Sequence, residues 1–273
     1  VVEEGALFSV VHSRAPFFFY LYSMNLTAVK KTLDSALDDY HHSKFIDTDP
    51  IQIPHRYTLI QDIEIAAFLS ATIAWGNRIA IINNALRMLE LMEPSPYDYV
   101  MNSTTNSLKK FPEIIHRTFN KVDLVYFINA LKMIYLKHDS LGEIFKGKDV
   151  HQAISNARNI FFATDHPVRS LKHFSDPSKG AACKRINLFL RWMVRKDPKH
   201  IDFGLWSHIK MDQLICPLDV HTGNTARTLG LLKRKQNDWK AAEELTLQLR
   251  LLDPIDPIKY DIALFALGAL RKK

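Results

Sequence analysis

Apolar residues recur along this chain at three- and four-residue intervals in long windows, the period of helices turned toward a core, rather than in the alternation of half-buried strands. Leu26, Val29, Leu33 and Leu37 predict a helix over 25–40, broken by a loop over 41–57 that carries Asp49-Pro50 and Ile53-Pro54. From Asp62 to Trp75 nearly every position is apolar, which predicts a helix buried on most sides and stopped by Gly76, a good C-cap residue. Ile81, Ala85, Met88 and Leu89 then form one stripe of a helix over 78–92 that ends before Pro94 and Pro96.

Further helical windows span 122–136 and 150–162, separated by the loop around Gly142 and Gly147. Residues 163–180 read as loop, and 182–195 as helix. After Lys196-Asp197-Pro198 a connector carrying Gly204 and Trp206 leads to 218–231, helical after its first residues. Asp238 is the predicted N-cap of a helix bearing Ala242, Leu245, Leu249 and Leu252. Asp256-Pro257, an N-cap and a proline at the first helical position, opens the last helix, whose inner face is Ile258, Ile262, Phe265 and Ala269. The expected fold class is all-α. Met24 opens a helical sequence, so residues 1–23 read equally as an upstream extension or as part of the folded domain.

Composition narrows the setting. With 47% apolar residues in 273, the chain holds enough to build a core of one large domain or two small ones. A net charge of +7 suits a polyanionic partner without demanding one. Two cysteines, Cys183 and Cys216, build neither a disulfide framework nor a four-cysteine zinc or iron–sulfur site, which points to a reducing, cytoplasmic setting. No apolar run reaches the roughly 18–20 residues that span a bilayer. The nearest, Ala15–Tyr22, is short and preceded only by Arg14 as a cation, so no signal peptide is expected. His41-His42 lack a metal-ligand spacing, and neither a metal nor a cofactor is expected.

Three segments hold candidate chemistry. Lys184, in Cys183-Lys184-Arg185-Ile186-Asn187, opens a predicted helix. The dipole and free amide hydrogens there disfavour a cation and so favour the neutral amine, a nucleophile suited to a sugar C1′ and to Schiff-base formation. On the lysine alone, the favoured reading is that Lys184 and Arg185 bind solvent or phosphate there. Asp219, in Leu218-Asp219-Val220-His221-Thr222, sits at a loop-to-helix junction, where capping is already a sufficient role. The third segment runs from Leu69 to Arg78 and carries Trp75, Asn77 and Arg78, with Trp75 read from the residues alone as a core anchor beside the Gly76 cap. Arg191 and Arg195, one helical turn apart, form either a phosphate ridge or a solvated face. Asp261 is expected to bond a cap or an arginine.

The string from Leu218 to Leu231, with Asp219, His221, Arg227, Leu229 and Gly230 in order, resembles the catalytic strip of the helix-hairpin-helix DNA glycosylases. Leu69-Ser70-Ala71-Thr72 resembles the helix end that faces the lesion in that family, which implies that Trp75 stacks on an extruded base as an equal alternative to anchoring the core, that Asn77 fills the gap in the duplex and that Arg78 holds phosphate. Over residues 40–271 the chain is also similar to an uncharacterised bacterial family marked by the Ala-Trp-Gly-Asn-Arg loop, the Cys-Lys-Arg-Ile-Asn helix and the Leu-Asp-Val-His string. The glycosylase likeness implies a two-lobed helical fold, with one lobe over 64–195 and the other built from 24–63 and 196–273. It implies Asp219 as the catalytic aspartate and Lys184 as the lysine of the bifunctional members. Trp75, Asn77, Arg78 and His221 are then the substrate contacts, and Lys179, Arg185, Arg191, Arg195 and Arg227 the DNA contacts. Where the family has a Leu-Pro-Gly-Val-Gly-like hairpin, this chain has Asp176-Pro177-Ser178-Lys179-Gly180-Ala181-Ala182, a degenerate form, and Lys184 stands 35 residues before Asp219. The implied activity is base excision with strand cleavage on damaged duplex DNA. A DNA-binding module of the same fold without chemistry, and a helical scaffold for protein partners, are the other readings.

Overall fold

In a computed structural model, the described residues are 14–270, with side chains from 26 to 269. The expectation for residues 1–13 therefore lies outside the described residues, and the helix expected over 25–40 is traced back to Arg14. Helix α1 (Arg14–Tyr40) and the short α2 (Lys44–Asp47) lead through two 3-10 turns, Pro50–Gln52 and Pro54–Arg56, into α3 (Ile60–Thr72) and α4 (Arg78–Glu90). Next come α5 (Pro96–Asn102), α6 (Thr105–Leu108), a hairpin of β1 (Ile114–His116) and β2 (Phe119–Asn120), and then α7 (Lys121–Tyr135), α8 (Val150–Phe161) and α9 (Lys184–Val194). The series continues with α10 (Val220–Thr228), α11 (Trp239–Leu252) and α12 (Tyr260–Phe265), which runs on as a π-helical segment, Ala266–Leu270.

The mostly helical architecture follows the periodicity, and most helix starts follow local chemistry. Asp219 accepts from Thr222 N at 2.9 Å and Asp238 from Ala241 N at 3.0 Å, each capping the helix it precedes. Asp256 departs from expectation. Its carboxylate is taken by Arg195, so it makes no cap bond, and Pro257 opens a 3-10 turn before α12 begins. Three short helices, α2, α5 and α6, and the small hairpin lie where no element was predicted; α5 starts at Pro96, with Asp62 of α3 accepting from Ser95 Oγ and Tyr97 N.

Helix α3 is the centre of the molecule, buried from Asp62 to Thr72 and packed against α4, α5 and α9. Phe68 sets its ring 5.4–5.9 Å from those of Phe127, Phe161, Phe174 and Phe189, so four separate elements converge on one side chain. Such pairs contribute about 0.5–1.5 kcal/mol each beyond their buried area. Buried apolar side chains from Val29 to Leu264 form one connected cluster.

Two charged features are built into this core. Glu64 is fully buried without a cation, and four donors surround its carboxylate: Ser140 Oγ, Trp206 Nε1, Tyr135 OH and Leu141 N. Arg191 and Arg195 correct the expected phosphate ridge. Both are buried; Arg191 bonds Asp202 at 3.3 Å and Asp261 at 2.6 Å, and Arg195 bonds Asp202 and Asp256 at 2.9 Å. The one-turn spacing put the two arginines on one face as predicted, but that face turns inward onto carboxylates supplied by later segments.

Candidate active-site cleft

A cleft of about 960 Å³ opens where the N-terminus of α9, the α3–α4 loop, the start of α10 and the end of α12 meet. Lys184 enters from α9, whose N-cap residue Cys183 is in the left-handed region at φ 49° and makes no side-chain cap bond. The Lys184 ammonium donates to the carbonyl of Ala74 at 3.3 Å. Asp219 enters from α10 and is half-buried; only its cap bond to Thr222 engages the carboxylate. Both line the cleft although 35 residues separate them in the chain, and neither takes part in a salt bridge among the described residues.

The other charges around the cleft divide into paired and unpaired. Arg78 is bound to Asp49 at 2.5 Å, and its guanidinium lies over the rings of Phe45 and Phe265, so the expected phosphate contact already has an internal partner. Arg191 reaches the floor with its charge on Asp261 and Asp202. Burial opposes that charge, yet the two carboxylates outweigh it and hold the guanidinium above its ordinary range. Among the described residues Arg185 has no carboxylate partner: it donates to the carbonyls of Thr72 at 2.6 Å and Lys172 at 2.9 Å and covers Trp75 at 4.8 Å. Burial brings it down to about 10.

Asp261 is a titratable group on the floor that was expected only to bond a cap or an arginine. Burial pushes its carboxyl up to about 6, Asp219 pushes the same way, and Arg191 and Lys184 oppose them. Its place in the cleft was hidden in the sequence because it depends on α12 packing on α10 and meeting Arg191 of α9. The same holds for Phe45, Asp49 and Phe265.

The remaining expected residues are distributed unevenly. Trp75 lines the cleft, but its ring is also engaged by His116 and His173 at 4.9 and 5.9 Å, which makes it a core anchor as well. Asn77 faces the cleft and caps α4 by accepting from Ala80 N. His221 is exposed at the rim. Lys179 and Arg227 do not line the cleft. Lys179 is exposed on the turn before α9, and Arg227 braces the loop after α10 through Arg234 O and Asn237 Oδ1.

The model of a family described as "Protein of unknown function (DUF2400)" matches residues 49–270. The chain belongs to that family. The family match begins at the carboxylate that pairs with Arg78 and takes in every cleft-lining residue except Phe45. No curated protein and no solved structure matches the chain. Among the described residues, no helix is long and apolar enough to cross a membrane. No group of three or more histidine, cysteine or acidic side chains stands ready to hold a metal there.

Proposed function

We propose that this member of the family is a DNA glycosylase-like enzyme with a lyase step, acting on a damaged nucleotide flipped out of duplex DNA. The observation that carries the reading is the convergence of Lys184 and Asp219 on one cleft, each without a salt bridge among the described residues. Such a pair supplies a nucleophile and an anion that stabilises positive charge on the reacting sugar. The cleft is large enough for an extruded nucleotide, and Lys184 and Arg185 leave it with cationic character.

In this reaction the Lys184 ammonium first gives up a proton to solvent, and its amine then forms a bond to C1′ as the C1′–N glycosidic bond breaks. The base leaves with the bonding pair and takes up a proton, while Asp219 stabilises the cationic sugar. Loss of a proton from the nitrogen and opening of the sugar ring leave an iminium. Removal of a C2′ proton then expels the 3′ phosphate and cuts the strand.

Borohydride trapping on duplexes carrying a panel of damaged bases tests this. Wild type is expected to form a covalent adduct on at least one lesion, and Lys184→Gln none. An adduct that persists in Lys184→Gln, or none in wild type on any lesion, removes the role of Lys184. The cap bond of Asp219 favours one further reading, a DNA-binding module without chemistry. It predicts duplex binding that survives Asp219→Asn with no base released from any substrate.

A further inference from the structure

We propose that the basic segment from Lys233 to Lys240, the loop before α11 with the first two residues of that helix, is the surface on which a nucleic-acid duplex lays its phosphate backbone; the choice of nucleic acid as partner rests on the reading above. The alternatives nearer the cleft are already occupied. In the turn before α9, the amides of Lys179 and Ala181 bond the Asp176 carbonyl and that of Gly180 bonds the Pro177 carbonyl, so they are not free for phosphate. Arg191 and Arg195 are buried on carboxylates.

The Lys233–Lys240 loop has the charge those elements lack. Between Arg227 and Lys240 the chain carries five cations and one carboxylate, Asp238, which is bound by Arg234 at 2.5 Å. Lys233, Lys235 and Lys240 are exposed, and none is in a salt bridge among the described residues. With Arg234 they border a shallow groove of about 520 Å³. Glu244 also borders it, but its carboxylate accepts from the main-chain N of Lys233 at 2.6 Å.

Two hydrogen bonds fasten this loop to both halves of the cleft. Trp239 N donates to Gly180 O at 2.9 Å, four residues ahead of Lys184. Asn237 Nδ2 donates to the main-chain carbonyl of Asp219 at 3.1 Å. Gly180, at φ +78°, has open space where a Cβ would stand, so the turn leaves room for a duplex held on the neighbouring lysines. A duplex held on these lysines is therefore registered against the elements that carry Lys184 and Asp219.

The test is fluorescence anisotropy of an undamaged labelled duplex across salt concentrations from about 50 to 200 mM, where each phosphate contact contributes about 0.9 to the log–log slope. The triple variant Lys233→Gln, Lys235→Gln, Lys240→Gln is compared with an equal-charge control, Lys109→Gln, Lys110→Gln, Lys137→Gln, on exposed lysines elsewhere. Melting curves confirm that both remain folded. The loop variant is expected to lose about 2–3 units of slope and about 10-fold or more in affinity, and the control to keep most of both. An unchanged slope in the loop variant, an equal loss in the control, or no duplex binding by wild type at about 50 mM salt overturns the proposal. Loop-dependent binding without base release supports this surface while ending the glycosylase reading. Base release with loop-independent binding does the reverse.

Discussion

Arg191 Nη1 lies 2.6 Å from Asp261 Oδ2, with both side chains buried beneath the cleft that Lys184 and Asp219 line. The pair joins the floor of the candidate site to a core network of Asp202, Arg195, Asp256 and Asp197, and His41 closes its far end at 2.8 Å from Asp197. Removing one member strands a buried charge. Arg191→Met is expected to lower stability by about 3–5 kcal/mol, since Asp261 loses its cation and Asp202 keeps only Arg195. Equilibrium urea unfolding measures it, and a loss under about 1 kcal/mol contradicts the buried pairing.

Asp261 gives the folded protein a specific pH signature. Its carboxyl is pushed up to about 6, first by burial, so between the ordinary aspartate range and about 6 the native state holds a proton that the unfolded chain has released. Its contribution is fully present below about 4 and declines as pH rises toward and through about 6. The melting-temperature difference, wild type minus Asp261→Asn, is expected to shrink over that window and stay level above it. A difference independent of pH rejects the assignment.

Glu64→Gln probes the other buried carboxylate. Trp206 Nε1 donates to Oε1 and Leu141 N to Oε2, and neither donor is able to turn into an acceptor. Whichever way the glutamine amide faces, its NH₂ therefore meets one of them. The expected cost is about 2–3 kcal/mol, read by chemical denaturation, from an unmade charge-assisted bond and an unsatisfied donor. A near-neutral variant shows that the four bonds are not simultaneously made.

Asp219 separates capping from chemistry. Asparagine caps as well as aspartate, so Asp219→Asn is expected to melt close to wild type, whereas Asp219→Ala costs about 1 kcal/mol. Under the proposed reaction both variants lose base release, because neither retains the carboxylate. If Asp219→Asn releases base as fast as wild type, Asp219 is a cap and nothing more.

Much of this was written locally. The helical windows, the caps Asp219 and Asp238 and the stop near Gly76 depend on neighbours a few residues away, and the structure places each where the pattern did, within a few residues. The arginines show where local reading ends. Their spacing put Arg191 and Arg195 on one face of α9, but Asp202, Asp256 and Asp261 turn that face into an interior. Arg78 likewise read as a free cation until Asp49, 29 residues earlier, was found beside it.

By itself the sequence determined that the chain forms helices, where most of them begin, and which residues carry reactive groups, because periodicity and capping act over one or two turns. Only the tertiary structure decided which charges cancel and which remain available. It set Lys184 and Asp219 on one cleft, spent Arg78, Arg191 and Arg195 on carboxylates, and brought Asp261 under the same floor. The reason is physical: a buried charge must find its partner wherever the fold supplies one, and those partners lie on helices that meet only after the core has packed.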